Sequence, residues 1–132
     1  MRTIVTFLFL AIAGTTPAEP GQLDVYRKME RAPGNVTVTP QGRVIASLHQ
    51  FYSPEVRVVD ATHGTPVKAW PNEAIASGGE GSPIALDSVL GIQSDPRGVV
   101  WMLDNGLRSG VTPKLVAWDS LGDALHRLVR VE

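Results

Sequence analysis

The sequence predicts an all-β chain built from two copies of one four-stranded antiparallel unit. Three observations carry this reading. The stretch GNVTVTPQGRVIASLHQF (Gly34 to Phe51) returns in weaker form as GIQSDPRGVVWMLDNGL (Gly91 to Leu107), with Pro40 matching Pro96 and Gly42 matching Gly98 at one shared offset. A second pair follows each copy, RVVD (Arg57 to Asp60) and then VAWD (Val116 to Asp119). The apolar positions follow strand logic, and no window resembles a long amphipathic helix. Spacing this regular means that one supersecondary unit has been used twice.

In the first copy, Asn35 to Thr39 alternates as a strand. Pro40-Gln41-Gly42 is a tight turn, because Pro presets one dihedral and Gly accepts a positive one. Arg43 to Leu48 is the second strand, broken by Ser53-Pro54. Val56 to Asp60 is the third, Thr62-His63-Gly64 turns the chain, and Val67 to Trp70 is the fourth. The second copy repeats the order. Val89 to Ser94 leads into the turn Asp95-Pro96-Arg97-Gly98. Val99 to Leu103 is apolar almost throughout, as expected of a strand buried on both faces. Asp104-Asn105-Gly106 turns, and Lys114 to Asp119 and Ala124 to Val131 complete the set around Ser120-Leu121-Gly122-Asp123.

Four antiparallel strands in a repeat of about 50 residues describe a β-propeller blade. The alternative is a β-sandwich with two similar hairpins. The expected divisions are a signal at 1–18, a polar lead-in at 19–33, the first blade at 34–72, a Gly/Ser-rich loop at 73–85 and the second blade at 86–132.

The first residues read as an address. Arg2 supplies a positive charge, Ile4 to Ala13 is uninterrupted apolar, and Thr16-Pro17-Ala18 offers small residues to a signal peptidase. The apolar run is roughly half of the ~20 residues needed to cross a bilayer. The expectation is a secreted chain, extracellular or periplasmic, with no stable membrane span after cleavage. Twelve basic residues nearly balance 13 acidic ones. No basic stripe suggests nucleic acid, and no charge block suggests an anionic membrane. With no cysteine there is neither a disulfide nor a thiolate metal site.

Few residues suggest chemistry. His49 and Gln50 follow the strand ending at Leu48, where a histidine serves as a general base, a ligand contact or a partner of a neighbouring loop. Asp104 and Asn105 end the matching strand of the second copy. They offer oxygens to a hard cation, but Asp-Asn-Gly is also an ordinary turn sequence. Arg108 could hold an anionic or carbonyl group. Asp60 and Asp119, repeat-equivalent, are expected to receive turn amides. Trp101 and Trp118 are expected to pack between the units, and Trp70 to cover an edge. Asn72-Glu73 reads as part of a mobile surface loop. No serine–histidine pair, phosphate loop or dinucleotide motif occurs, so the residues name no metal site and no cofactor.

The stretch LDSVLGIQSDPRGVVWMLDNGLRSGVTPKLVAWD (Leu86 to Asp119) resembles the major royal jelly and yellow protein family, and so does Gly34 to Asp60. The pattern stands at Ser88-Val89, Gly91, Asp95, Gly98, Trp101, Leu103-Asp104 and Gly106, followed by PKLVAWD. The resemblance implies a secreted six-bladed propeller, of which this chain would hold about two blades. Insect relatives convert dopachrome or bind small aromatic amines in a central pocket; bacterial ones are described as similar to these or to gluconolactonases. It implies a small-molecule ligand in the channel, with His49, Gln50, Asp104, Asn105 and Arg108 as candidate contacts. The alternatives are part of a metal-dependent lactonase- or tautomerase-type enzyme, and a non-functional truncated or self-associating fragment. Exposed blade flanks are expected to favour self-association.

Overall fold

The two copies of the motif build the same turn. In the first, Thr39 N–H donates to Arg43 O (2.9 Å) and Gly42 N–H to Thr39 O (2.8 Å). In the second, Asp95 N–H donates to Val99 O (2.9 Å) and Gly98 N–H to Asp95 O (3.0 Å). Gly42 and Gly98 sit at φ 79° and 85°, where a side chain would be strained. A side-chain oxygen closes each turn: Arg43 N–H donates to Thr39 Oγ1, and Val99 N–H to Asp95 Oδ1.

The computed structural model describes residues 21, 23–78 and 81–131. The expected signal at 1–18 lies outside the described residues. Eight strands form in chain order: β1 (Pro33–Val38), β2 (Val44–Leu48), β3 (Val58–Asp60), β4 (Lys68–Ala69), β5 (Val89–Ser94), β6 (Val99–Asp104), β7 (Lys114–Asp119) and β8 (Ala124–Arg130). They make two four-stranded sheets ordered β1-β2-β3-β4 and β5-β6-β7-β8. All neighbouring strands are antiparallel. The chain is therefore all-β with almost no helix, and consecutive strands pair within each sheet.

Register repeats along with strand order. A bulge between Pro33 and Asn35 in β1 is matched by one between Val89 and Gly91 in β5. Asn35 faces Ser47 as Gly91 faces Leu103, and Pro33 faces Leu48 as Val89 faces Asp104. The two units are thus equivalent at the level of backbone pairing.

The sheets pack through β1 and β2 against β5. One apolar core lies between them: Ile45, Val58 and Trp70 from the first sheet, and Val89, Ile92, Val100, Met102, Val116 and Trp118 from the second, with Leu86. Each large side chain buried there contributes about 1.5–3 kcal/mol. Polar ties cross the same gap. Ser47 Oγ donates to Leu90 O (2.9 Å), and Ser94 N–H donates to Thr37 Oγ1 (2.8 Å). At the turn end, Arg43 pairs with Asp60 (2.9 Å) and also reaches Ser120 O (3.3 Å).

Four expectations need correction. Trp70 is fully buried in the shared core and covers no edge. Trp118 packs between the sheets, whereas Trp101 lies on the far face of the second sheet, edge-on to His126. The segment after Trp70 is ordered by a short helix, α1 (Glu73–Ala76), which buries Ile75 and Ala76. Asn72, expected in a mobile loop, caps it by accepting from Ile75 N–H (3.1 Å). β6 is also not buried on both faces throughout: Val100, Met102 and Asp104 are buried on one face, while on the other Val99 is buried, Trp101 half-buried and Leu103 exposed.

Candidate functional site

Every candidate residue falls at one end of the fold, where β1 and β5 begin and β2 and β6 end. That follows from the repeat: His49 and Gln50 follow β2, as Asn105 follows β6.

Asp104 organises this end. It is fully buried at the last position of β6. Its Oδ2 accepts from Asp87 N–H (2.8 Å) and Lys114 Nζ (2.8 Å), and its Oδ1 from Ser88 N–H (2.9 Å) and Gly106 N–H (3.0 Å). Burial alone would raise its pKa. Lys114 and the three amides outweigh burial and hold the carboxyl below its usual range. Both oxygens are engaged by N–H donors, so Asp104 acts as a cross-brace between β6, β7 and the strand entering β5.

Asn105 and Arg108 complete the brace. Asn105 Oδ1 accepts from Leu107 N–H (3.1 Å), the turn role its sequence offered. Arg108 N–H and Ser109 N–H both donate to Asp87 Oδ2 (3.0 Å each). The Arg108 guanidinium donates to Pro54 O, tying the second sheet's loop to the first sheet's. Arg57 makes a parallel tie, donating to Asp87 O (3.1 Å), Ser77 O (2.8 Å) and Glu55 O. Burial, then the neighbouring Arg108, lowers its pKa.

His49 plays a local part. Its Nδ1 accepts from Phe51 N–H (3.1 Å), capping a 3-10 turn at Gln50–Tyr52. That turn presents Phe51 and Tyr52 to solvent, 80% and 53% exposed. The two rings meet edge to face at 5.5 Å, and each lies edge-on to the His49 imidazole. Sequence reasoning passed over this aromatic pair; the signal was two consecutive aromatics between a strand end and the Ser53-Pro54 break. Gln50 Oε1 and Ser88 Oγ, also at this end, are buried without a hydrogen-bond partner among the described residues.

A cleft of ≈ 470 Å³ opens between the sheets beside Arg57, Asp87, Leu86, Lys114 and Arg130. Its cations are largely committed: Lys114 to Asp104 and Arg57 to three carbonyls. The aromatic turn, by contrast, is exposed, and its aromatic contacts among the described residues are with itself and His49. Asp60 and Asp119 take turn amides as expected, from Thr62 and from Leu121 and Gly122. Among the described residues no three His, Asp or Glu side chains converge as a metal site.

No protein-family model and no curated protein matches the chain.

Proposed function

We propose that this chain forms two adjacent blades of a secreted propeller of the royal jelly and yellow type, and that its braced end binds a small aromatic ligand. The blade reading is supported by two meander sheets of equivalent register, packed through their first strands. A Greek-key sandwich would send strands across between its sheets, and among the described strands none crosses.

The observation that carries the ligand reading is the exposed Phe51–Tyr52 pair beside His49. Exposed aromatics that meet edge to face present ring faces and edges to a third ring, a contact of about 0.5–1.5 kcal/mol beyond its buried area. The turn bearing them is followed at Pro54 by the tie to Arg108, so the platform is held in place. Gln50 Oε1 and Ser88 Oγ would each gain from a polar group brought by a ligand, since an unpaired buried polar atom costs about 1–3 kcal/mol. The metal-dependent lactonase reading draws no support from Asp104, whose oxygens are already held by four N–H donors.

The test is calorimetric titration of the purified protein with phenethylamine as a probe. Binding should weaken at least tenfold in Phe51→Ala/Tyr52→Ala, with the urea midpoint unchanged. Equal binding by that variant, or none by the wild type, would remove the reading.

A further inference from the structure

We propose that Asn105 is a modification site: the Asp104 brace keeps it intact, and opening of the brace lets Asn105 deamidate to an isoaspartate that stops the brace from closing again. This inference rests on the geometry around Asp104 and is independent of the ligand reading.

Asn105 is followed by Gly106. Glycine has no Cβ to keep its backbone nitrogen away from the preceding side chain. Once free, the Gly106 nitrogen bonds to Asn105 Cγ, losing its own proton while Nδ2 leaves as ammonia. The product is a cyclic imide, which water opens at either carbonyl. Cleavage at Cγ gives aspartate. Cleavage at the backbone carbonyl gives isoaspartate, which adds a methylene to the main chain.

The fold blocks the first of these steps. Gly106 N–H donates to Oδ1 of the buried Asp104 (3.0 Å), so attack on Cγ requires that bond to break. Val111 N–H donates to Gly106 O (3.0 Å), and an added Cβ on Gly106 would fall 1.9 Å from Val111 O, so the Gly106 backbone has little room to turn. Asn105 is held as well: its Oδ1 accepts from Leu107 N–H (3.1 Å), and its N–H donates to Ser88 O (3.0 Å). Asp104 does not draw off the Gly106 proton itself. Burial raises its pKa, but Lys114 and three backbone amides hold the carboxyl below its usual range and make it a weak base.

The same bonds make the change one-way. The added methylene displaces Gly106 N–H from Asp104 Oδ1. The new carboxylate stands one residue from Asp104, where like charges disfavour each other. Asp87 N–H and Ser88 N–H share the Asp104 carboxylate with Gly106 and lose their anchor with it.

Peptide mapping of the full chain, kept folded at mildly alkaline pH, follows the reaction at Asn105. The folded chain should deamidate there at least tenfold more slowly than the chain in concentrated urea. Asp104→Asn leaves one acceptor oxygen for four N–H donors, and under native conditions it should deamidate at Asn105 at least tenfold faster than wild type. Should that variant fail to fold, the wild type alone decides: in sub-denaturing urea the rate at Asn105 should rise in step with hydrogen exchange at the Gly106 amide. The isoaspartate form, separated by ion exchange, should show faster amide exchange at Asp87 and Ser88. Equal rates in the folded and unfolded chain overturn the proposal, as does a rate at Asn105 that is indifferent to Gly106 opening. A folded Asp104→Asn that deamidates no faster than wild type overturns it too, since Asp104 would then be no guard. An isoaspartate form with native exchange at Asp87 and Ser88 overturns the one-way lock.

Discussion

At the residue scale, the braced end depends on Asp104 more than on any other residue singled out as a candidate contact, and it serves there as a brace. Removing one partner of a buried ion pair costs about 3–5 kcal/mol, because the other charge is left uncompensated. Asp104→Ala should therefore destabilise the chain by about that amount, read by urea denaturation at neutral pH. The pH dependence has a definite sign. The folded carboxyl titrates below its unfolded value of about 3.9, so its contribution is complete above that value and fades as pH falls through the folded pKa. The stability gap between wild type and Asp104→Asn should be flat from pH 5 to 7 and narrow below about pH 4. A gap that widens on acidification would mean the brace is not ionic. Gly106 is as constrained: its φ is +65°, and an added Cβ would fall 1.9 Å from Val111 O. Gly106→Ala should loosen the 106–111 loop, seen as faster amide exchange at Val111, whose N–H donates to Gly106 O.

At the element scale, the strands were the most legible part of the sequence, for a physical reason. Turns fix strand ends, and the Pro-x-Gly turns at 40–42 and 96–98 are written in residues whose dihedrals leave little choice. β5 and β7 accordingly run over the stretches the alternation marked, Val89–Ser94 and Lys114–Asp119. β3 and β4 are shorter than expected, since Val56 packs with Met29 in a separate cluster and Val67 is exposed. Helix α1 escaped notice because four residues are too few to show a helical period; its readable sign was Asn72 as a cap ahead of Ile75. The aromatic turn escaped because its meaning lies in exposure, which a linear pattern does not record. The polar seam between the sheets was equally invisible, since Ser47 and Leu90 meet only in three dimensions. Ser47 Oγ both donates to Leu90 O and accepts from Asn35 N–H (3.0 Å). Ser47→Ala should cost about 1–3 kcal/mol, because it strands two backbone groups. Thermal unfolding checks this, and a loss under about 0.5 kcal/mol, the range of an ordinary surface change, would show that the seam is incidental.

At the scale of the whole molecule, the repeat told more than composition did. It located two equivalent units, and the structure shows them as two meander sheets with matching bulges. What it could not locate is the function of their shared end, because the chemistry there is assembled from loops of both sheets. Asp87, Arg57 and Pro54 carry the ties, and nothing in the linear pattern shows which loops of the other sheet they reach. The continuous apolar character of β6 implies burial on both faces, while its second face opens towards Leu103. Sequence records what a surface is suited to meet, and the single chain shows only the part of that which it supplies itself.

The crossing from the first sheet to the second illustrates how little the peptide link itself contributes to holding the halves together. Apolar contact, the Ser47 and Arg43 bonds and the clasp of Arg57 and Arg108 all join one half to the other without using it. Covalent continuity near Gly81 should accordingly be dispensable. Two polypeptides severed there and co-expressed should find each other and co-purify as a stoichiometric pair, giving a ready-made split reporter.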